Sequence, residues 1–402
     1  MIKENNMQVP KLRFKEFKLP YSKYQLSNYL IESKLRNKNL IYNKNDVLSV
    51  SGKFGVINQI ELQGRSFAGE KVNNYHIVET NDIVYTKSPL KLSPYGIIKV
   101  NNGISGIVST LYAVYHVLPN AIPKYIDFYF NYNLRLNKYL KPIVNIGAKH
   151  DMKISNEYVL TNYVSFPSLE EQTKIANFLS LIDRKIELQE KLVENLKLYK
   201  KGLLKKVFSN NLGWKSAKLG DLGNFISGIG FKEKLQGIPN GDIPFFKVSD
   251  MNLAENNIFM MKSNNYISLE TCFIMKYKPI SNPSIIFAKV GQAIFLERKR
   301  IVNNNFLIDN NMMAFIPNDN IVLKYLYYQL TNIKFSNYCQ TGALPSYNAF
   351  DLKNIKLFIP SIGEQNRIAN LFSNLDKKMD FETNRLTKLK EYKKGLLQQM
   401  FI

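Results

Sequence analysis

One long segment of the sequence occurs twice, 193 positions apart. Residues 167–208 and 360–401 align without gaps, share 19 of 42 residues, and carry the hexapeptide YKKGLL close to their ends. Identity at this level over an uninterrupted stretch indicates a tandem duplication. The chain is therefore expected to fold around two equivalent elements.

Both copies have the sequence pattern of a long helix. Each begins with Pro-Ser, and the serine opens an S-x-x-E capping box, Ser168 with Glu171 and Ser361 with Glu364. In a capping box the hydroxyl and the carboxylate satisfy backbone N–H groups that the first helical turn leaves unpaired. The preceding proline disfavours helix upstream. The two helices are therefore predicted to begin at these serines.

Apolar residues recur in both copies at alternating intervals of four and three, the spacing of a coiled-coil seam. The same two seam positions are polar in each copy, Gln189 with Glu382 and Lys200 with Lys393. Polar seam residues usually fix register and orientation, which favours packing of the two helices on each other. Two unrelated amphipathic helices on separate cores are the alternative, but they need no shared polar positions. The predicted seam comprises Ile175, Leu179, Ile182, Ile186, Val193, Leu196, Leu203, Ile368, Phe372, Leu375, Met379, Leu386, Leu389 and Leu396.

The rest of the sequence consists of short β-type runs separated by turn formers, with one helical stretch late in each segment, at 124–140 and 322–335. This texture predicts two mixed α+β domains of about 150 residues each. Their edges are similar and their middles are not, which favours two homologous domains that read different targets. The predicted division is a first domain at 1–166, a first long helix at 167–209, a second domain at 210–359 and a second long helix at 360–402.

The net charge points to a polyanionic partner. The chain has 55 basic and 32 acidic side chains, a formal charge of +23. Excess positive charge attracts nucleic acid through counterion release, although a compositional bias towards Lys and Asn is the plainer alternative. No apolar run is typical of a secretory signal or a membrane span, and the chain has only two cysteines. A cytoplasmic protein with no membrane partner is expected.

Catalytic signatures are missing from the sequence. It contains neither a GxxxxGK[ST] phosphate loop nor the [DNS]-P-P-[FYW] box of amino-methyltransferases. The three histidines have no metal-ligand spacing, and His150-Asp151 favours a loop hydrogen bond over catalysis. Cys272 and Cys339 have no C-x-x-C spacing and are predicted to be core thiols. We therefore predict no catalytic, metal or cofactor-binding residues in this chain, and binding in place of turnover.

Basic residues near turns and small polar residues are the candidates for DNA contact, because Arg and Lys hold phosphates or read guanine edges. For any one of them a solvated surface charge is the commoner case, and the run 298–300 is the strongest candidate. The first domain contributes Lys53, Arg65, Lys71, Lys87 and Lys91. The second domain contributes Lys247, Lys289, Arg298, Lys299, Arg300, Ser346 and Tyr347.

The order of these segments resembles the specificity subunit of type I restriction-modification systems, and the resemblance covers nearly the whole chain. The lead segments Pro10–Phe14 and Gly213-Trp214 also resemble the starts of target-recognition domains in that family. The residues that carry the resemblance are Pro167-Ser168, Glu171-Gln172 and Ile175-Ala176, with their counterparts Pro360-Ser361, Glu364-Gln365 and Ile368-Ala369.

The resemblance implies an α+β fold in which two target-recognition domains of mixed α/β type are separated by two long helices that form an antiparallel coiled coil, with pseudo-two-fold symmetry. Each domain would read one half of a bipartite, asymmetric site in double-stranded DNA. The helices would set the spacer and dock two methyltransferase subunits, and two restriction subunits would complete the complex. S-adenosylmethionine, ATP and Mg²⁺ would be bound by those partners and not by this chain.

Two points stay open at this stage. The Glu-Gln pairs at 171–172 and 364–365 carry over as framework positions, either contacting partners or only capping the helices. A protein-interaction scaffold with paired helices and no DNA is the alternative function, and a concealed methylase or nuclease is disfavoured by the missing motifs.

Overall fold

The computed structural model describes residues 9–146, 152–209, 212–340, 342 and 344–402. The chain divides into two compact units, the first formed by Met1–Lys191 with Asn384–Ile402 and the second by Leu192–Thr383. Each unit therefore combines one predicted domain with part of both long helices. The division predicted above groups residues by sequence similarity and not by packing, and it stays a prediction. The pair His150-Asp151 lies outside the described residues.

The two long helices are α4 (Leu169–Ser209) and α8 (Ile362–Gln399). They begin one residue after the predicted capping serines, and each serine hydroxyl accepts the backbone N–H three residues on, at 3.4 Å in both copies. Among the described residues no helix is both long and apolar enough to cross a membrane.

The first unit is built around a four-stranded antiparallel sheet in the order β2-β9-β6-β7. Its helices outside the long pair are α1 (Gln59–Gln63), α2 (Pro123–Phe130) and α3 (Asn133–Leu140). Its strands are β1 (Ser22–Gln25), β2 (Leu30–Glu32), β3 (Leu48–Ser51), β4 (Gly55–Asn58), β5 (His76–Val78), β6 (Ile83–Thr86), β7 (Ile97–Val100), β8 (Gly106–Val108), β9 (Tyr112–Val117), β10 (Asn145–Ile146), β11 (Met152–Lys153) and β12 (Tyr163–Phe166).

The second unit repeats this plan with a four-stranded antiparallel sheet in the order β14-β20-β17-β18. Its shorter helices are α5 (Leu269–Ile274), α6 (Leu323–Thr331) and α7 (Ala349–Lys353). Its strands are β13 (Lys215–Lys218), β14 (Gly223–Ser227), β15 (Ile243–Phe246), β16 (Tyr266–Ile267), β17 (Ser284–Ala288), β18 (Lys299–Val302), β19 (Leu307–Ile308), β20 (Met312–Pro317) and β21 (Lys356–Ile359).

The central strands are apolar on both faces because both faces are covered. In β6, Ile83 and Tyr85 join the core under α2 and the long helices, whereas Val84 joins a smaller cluster under the β3–β4 hairpin and the paired strands β5 and β8. In β17, Ile285 and Phe287 face the corresponding helical core, and Ile286 faces the opposite side. Continuous β-branched and aromatic runs of this kind suit strands that are buried on both sides.

The helical stretches predicted at 124–140 and 322–335 are shorter in the structure. The first is interrupted after Phe130, where Asn131 caps α2 and a new helix begins at Asn133. The second ends at Thr331, with Asn332 as its cap. Asparagine favours helix ends because its side chain competes for backbone hydrogen bonds, and this local preference outweighed the apolar pattern.

Within each unit the two long helices run antiparallel, as predicted. In the first unit Asp183 pairs with Lys393, and Glu190 further along α4 pairs with Lys390 of α8 at 2.5 Å. In the second unit the equivalent pair is Lys200 with Asp376. All predicted seam positions are buried or half-buried, and the polar positions Gln189 and Glu382 are buried as well.

The two equivalent ion pairs also contact the short helix that follows each sheet. The ammonium of Lys393 lies 5.5 Å from the ring centre of Phe128 on α2, and that of Lys200 lies 5.3 Å from the ring of Tyr328 on α6. Tyr328 donates its hydroxyl hydrogen to Asp376 at 2.7 Å, and burial raises the pKa of this tyrosine, which keeps the hydroxyl protonated. The first lysine of each YKKGLL therefore joins the end of one long helix, the start of the other and the domain helix.

The two pairs differ in burial, and this predicts unequal costs of removal. The side chain of Asp376 is 8% exposed and that of Asp183 is 36% exposed. Asp376→Ala leaves a half-buried lysine and a tyrosine hydroxyl without their acceptor, so we expect a loss of about 3 kcal/mol in the free energy of unfolding. Asp183→Ala should cost about 1 kcal/mol, because water replaces the carboxylate there. Urea unfolding of both variants tests this, and equal losses would contradict it.

Candidate nucleic-acid interface

The glutamine of each Glu-Gln pair joins a long helix to its domain. Gln172 donates to the carbonyl of Pro167 at 3.1 Å and accepts the backbone N–H of Ile122 at 3.1 Å, at the start of α2. Gln365 makes the equivalent bonds to Pro360 at 3.1 Å and Val322 at 2.9 Å, at the start of α6. Both glutamines are at most 2% exposed. These side chains therefore act inside each unit.

The glutamates of the two pairs have different surroundings. Glu171 is buried and accepts two bonds from Arg13, at 2.8 and 2.7 Å, and one from Tyr21 at 3.3 Å. The bond to Glu171 raises the pKa of Arg13. Glu364 is exposed. In the first copy, therefore, the carboxylate of Glu171 binds Arg13 of the lead segment. The capping box predicts instead that this carboxylate bonds to the start of its own helix.

Two predicted cations of the first domain lie on exposed turns. Lys53 is at the tip of the β3–β4 hairpin and Arg65 follows α1, and both are exposed. Each stands over an exposed ring, Lys53 at 4.9 Å from Phe54 and Arg65 at 4.6 Å from Phe67. Gln59 joins the loop after α1 to strand β3 by accepting the backbone N–H of Phe67 at 2.7 Å and donating to Ser49 at 3.3 Å.

The other cations of the first domain lie on two loops, Lys71 on one and Lys87 with Lys91 on the other. Lys71 and Lys91 are exposed. Lys87 is half-buried at the end of β6, and burial lowers its pKa against the opposing effect of Glu32. Lys87 and Lys91 lie on the loop between β6 and β7, in which Leu90 and Ser93 form a short antiparallel bridge.

In the second domain Lys289 is brought together with Ser346 and Tyr347. The N–H of Tyr347 donates to the carbonyl of Lys289 at 3.2 Å, and Ser346 forms a backbone bridge with Val290. Lys289 and Ser346 are half-buried, whereas Tyr347 is buried and donates its hydroxyl hydrogen to the carbonyl of Ala288 at 2.5 Å.

The basic run at 298–300 is largely engaged by its own chain. Lys299 is 3% exposed and pairs with Glu297 at 3.0 Å. Arg300 donates to the carbonyls of Asn256 at 2.6 Å and Lys299 at 2.9 Å, and Arg298 is bonded to the side chain of Asn252. The DNA contact of these residues stays a prediction.

Lys247 lies directly after strand β15. It is half-buried, and its ammonium donates to Gln236 at 2.8 Å. Burial of this kind comes from cross-strand and loop contacts, which spacing along the sequence does not show.

Three groups with metal-ligand chemistry, Glu79, Asp82 and His116, lie within 4.8 Å of one another in the first domain. Asp82 is buried, which raises its pKa. One of its oxygens accepts the N–H of Glu79 at 2.7 Å, and the other lies 2.7 Å from Nδ1 of His116. These bonds hold the turn before β6 to strand β9. The spacing of these residues along the sequence did not predict their contact, because strand pairing brings them together.

Comparison with known proteins identifies the family. The model for the type I restriction modification DNA specificity domain matches the chain at residues 30–198 and again at 211–391. The chain belongs to this family. The resemblance inferred from the duplicated helices is therefore confirmed, and the two matches correspond to the two copies of the duplication.

Individual relatives extend the comparison. The type I restriction enzyme EcoR124I/EcoR124II specificity subunit of Escherichia coli is 28% identical over 182 residues, which cover 43% of this chain and 42% of that protein. The MjaVIII specificity subunit of Methanocaldococcus jannaschii is 24% identical over 319 residues, 67% of this chain and 68% of its own length.

Solved structures share the fold. The type I restriction-modification S subunit from M. genitalium matches with a TM-score of 0.57 at 16% identity, over 98% of this chain and 99% of that one. A chain from a study of complex assembly and conformational transition of the type I R-M system matches with a TM-score of 0.61 at 15% identity, over 96% and 99%. At such identities the likeness supports the fold alone.

The glutamine junction predicts a specific loss of stability. Gln365→Met removes the partners of the half-buried Val322 N–H and of the buried Pro360 carbonyl, so we expect the free energy of unfolding to fall by about 2–3 kcal/mol. Asn366→Ala, at the exposed neighbouring position, should change it by less than about 0.5 kcal/mol. Urea unfolding measures both, and a Gln365→Met variant as stable as the control would show that the junction is dispensable.

Proposed function

We propose that this chain is the DNA-recognition subunit of a type I restriction-modification complex, and that each domain reads one half of a bipartite, asymmetric DNA site. The observation that carries the proposal is the double match to the specificity domain. The repeated junction supports it, because each domain is joined to the long helices by the same buried glutamine and the same Lys-Asp pair.

The exposed cations of the first domain are the proposed DNA contacts. Lys53 and Arg65 are the leading candidates, since each has a planar apolar ring beside its charge, and Lys71 and Lys91 add to the same charge excess. Cations that are free to reach phosphates give affinity, and those that reach base edges give specificity. In the second domain the half-buried Lys247, Lys289, Arg298 and Ser346 are proposed in preference to the buried Lys299 and Tyr347.

Chemistry is proposed to belong to partner subunits. Two methyltransferase subunits would bind S-adenosylmethionine and modify the DNA, and two restriction subunits would use ATP and Mg²⁺. This assignment follows from the family and from a sequence in which no catalytic motif was found.

Two equivalent grooves are the proposed docking sites of the methyltransferase subunits, one in each unit. In the first unit a groove of about 520 Å³ is lined by Lys174, Phe178 and Leu181 of α4. In the second unit a groove of about 490 Å³ is lined by Arg367 and Leu371 of α8, which are the repeat counterparts of Lys174 and Phe178. Leu181 and Leu371 are 70% and 47% exposed. Exposed apolar side chains in a groove are typical of a protein contact.

The docking proposal predicts a change in stoichiometry. Leu181→Glu places a charge in the first groove, and Leu371→Glu does so in the second. Each variant should bind one methyltransferase subunit where the native chain binds two, and the double variant should bind none, as measured by native mass spectrometry. Lys191→Ala, on a polar and exposed part of α4, should retain both. Unchanged stoichiometry in the double variant would exclude these grooves.

The DNA-recognition proposal is tested by genome-wide methylation in a host that carries the methyltransferase subunit, with and without this chain. We expect a split motif that appears only when the chain is present. Exchange of residues 210–359 for the second domain of another family member should then change one half-site and leave the other intact. Stable assembly with the partner but no chain-dependent motif would favour the scaffold function, and a change in both half-sites would contradict modular reading.

A further inference from the structure

A cavity of about 270 Å³ lies in the first unit beside the edge strand β7. Leu90, Leu92 and Ser93 of the loop before β7 form one side, and Asn131 and Asn133 at the junction of α2 and α3 form another. Gly52, at the tip of the β3–β4 hairpin, lines it as well. The cavity therefore lies within the domain that is proposed to read one DNA half-site. None of the DNA-contact candidates named above lines it.

The cavity contains a buried lysine with little to neutralise it. Lys99 on β7 is 7% exposed and donates from its ammonium to Oδ1 of Asn131 at 2.8 Å. No carboxylate of the described residues lies within ion-pair distance of it. An ammonium has three hydrogens to donate, and a buried cation with a single neutral acceptor is costly.

The nearest acidic groups already serve other cations. Asp127 accepts from Lys124 at 3.3 Å and from the backbone N–H of Val100 at 3.4 Å. Asp183 is paired with Lys393. Burial lowers the pKa of Lys99, and Lys124 and Lys393 add to the effect while Asp127 and Asp183 oppose it. Three lysines thus share two carboxylates, and the surplus positive charge is on Lys99.

The lining of the cavity suits an anion that carries an apolar part. Ser93, with its hydroxyl 3.4 Å from Oδ1 of Asn133, and the two asparagines supply neutral polar groups, and no acidic residue is among the lining side chains. Leu90 and Leu92 supply an apolar wall and are 43% and 69% exposed at the surface. Lys53 and Lys91 are exposed and adjoin lining residues in sequence, so the approach to the cavity is basic.

At the equivalent position of the second unit, the cation is satisfied by hydrogen bonds within its own chain. Lys99 is opposite Val84 on the neighbouring strand, as Arg300 is opposite Ile286, and the third strands pair in the same way through Val114 and Ala314. Arg300, however, donates to two backbone carbonyls at 2.6 and 2.9 Å. The unsatisfied cation is therefore a feature of the first domain and not of the repeated framework.

We propose that this cavity is a phosphate-binding site, in which Lys99 neutralises one backbone phosphate of bound DNA. The phosphate oxygens accept the remaining hydrogens of Lys99 and those of the Asn133 amide, whose Oδ1 accepts the Ser93 hydroxyl hydrogen. The adjoining deoxyribose packs on Leu90 and Leu92. This inference rests on the proposed function, since the ligand is the DNA that the first domain reads.

The test is the salt dependence of DNA binding by the chain assembled with its methyltransferase subunits, on a duplex carrying the motif found in the methylation experiment. Each neutralised phosphate contributes about 0.9 to the slope of log K against log salt concentration. Lys99→Met should lower the slope by about 0.9, whereas Lys99→Arg, which keeps the charge, should retain it. The melting temperature of Lys99→Met should not fall, because the variant removes an uncompensated buried charge.

Lys200→Met is the matched control for loss of a lysine that its own chain already neutralises. Lys200 is half-buried and paired with Asp376 inside the second unit, so its removal should lower the melting temperature and leave the salt slope unchanged. If Lys99→Met behaves in the same way, Lys99 is a structural lysine and the proposal is wrong. If inorganic phosphate raises the melting temperature of the native chain but not of Lys99→Met, and the DNA slope is unchanged, the cavity holds a free anion and the DNA contact is excluded. Absence of any chain-dependent motif would instead overturn the proposed function before these variants are compared.

Discussion

The ion pair between the first lysine of YKKGLL and an aspartate of the opposite long helix is the contact on which the rest of each unit depends. It occurs twice, as Lys393 with Asp183 and as Lys200 with Asp376, and each lysine also lies over a ring of the domain helix. A half-buried charge tolerates few alternative partners, because leaving it unpaired is costly. The pair therefore selects one antiparallel register and one position of the domain against the helices.

This junction suits a protein whose role is to hold reading surfaces in place. Gln172 and Gln365 add a second fixed connection between each long helix and its domain, through hydrogen bonds that only one orientation satisfies. The framework is repeated with little change, whereas the cations on the loops differ between the two domains. A fixed framework with variable loops lets the DNA sequence that is read change without changing how the helices pack.

Much of the fold was predictable because the two copies of the duplicated segment can be compared with each other. Shared polar positions in the seam indicated paired helices, and the retention of Asp183 and Asp376 in both copies was the available signal for their ion pairs. The candidate interface was less predictable. Lys299 and Tyr347 were singled out by their neighbours in sequence, yet strand pairing and loop packing bury both. Lys99 was not among the predicted DNA contacts, because a lysine inside a β-branched run has the pattern of an outward-facing strand residue.

The sequence by itself determined that there are two long helices, where they start, that they pair, and that each follows a mixed domain, since these properties follow from periodicity, capping and repetition. The tertiary structure alone decided that each unit combines parts of both helices, that Glu171 and the two glutamines act internally, and which cations remain available to a ligand. Those outcomes depend on residues far apart in the chain, such as Arg13 with Glu171 or Gln365 with Val322. Local propensity carries no information about such contacts, because their energy arises only when packing removes both groups from water.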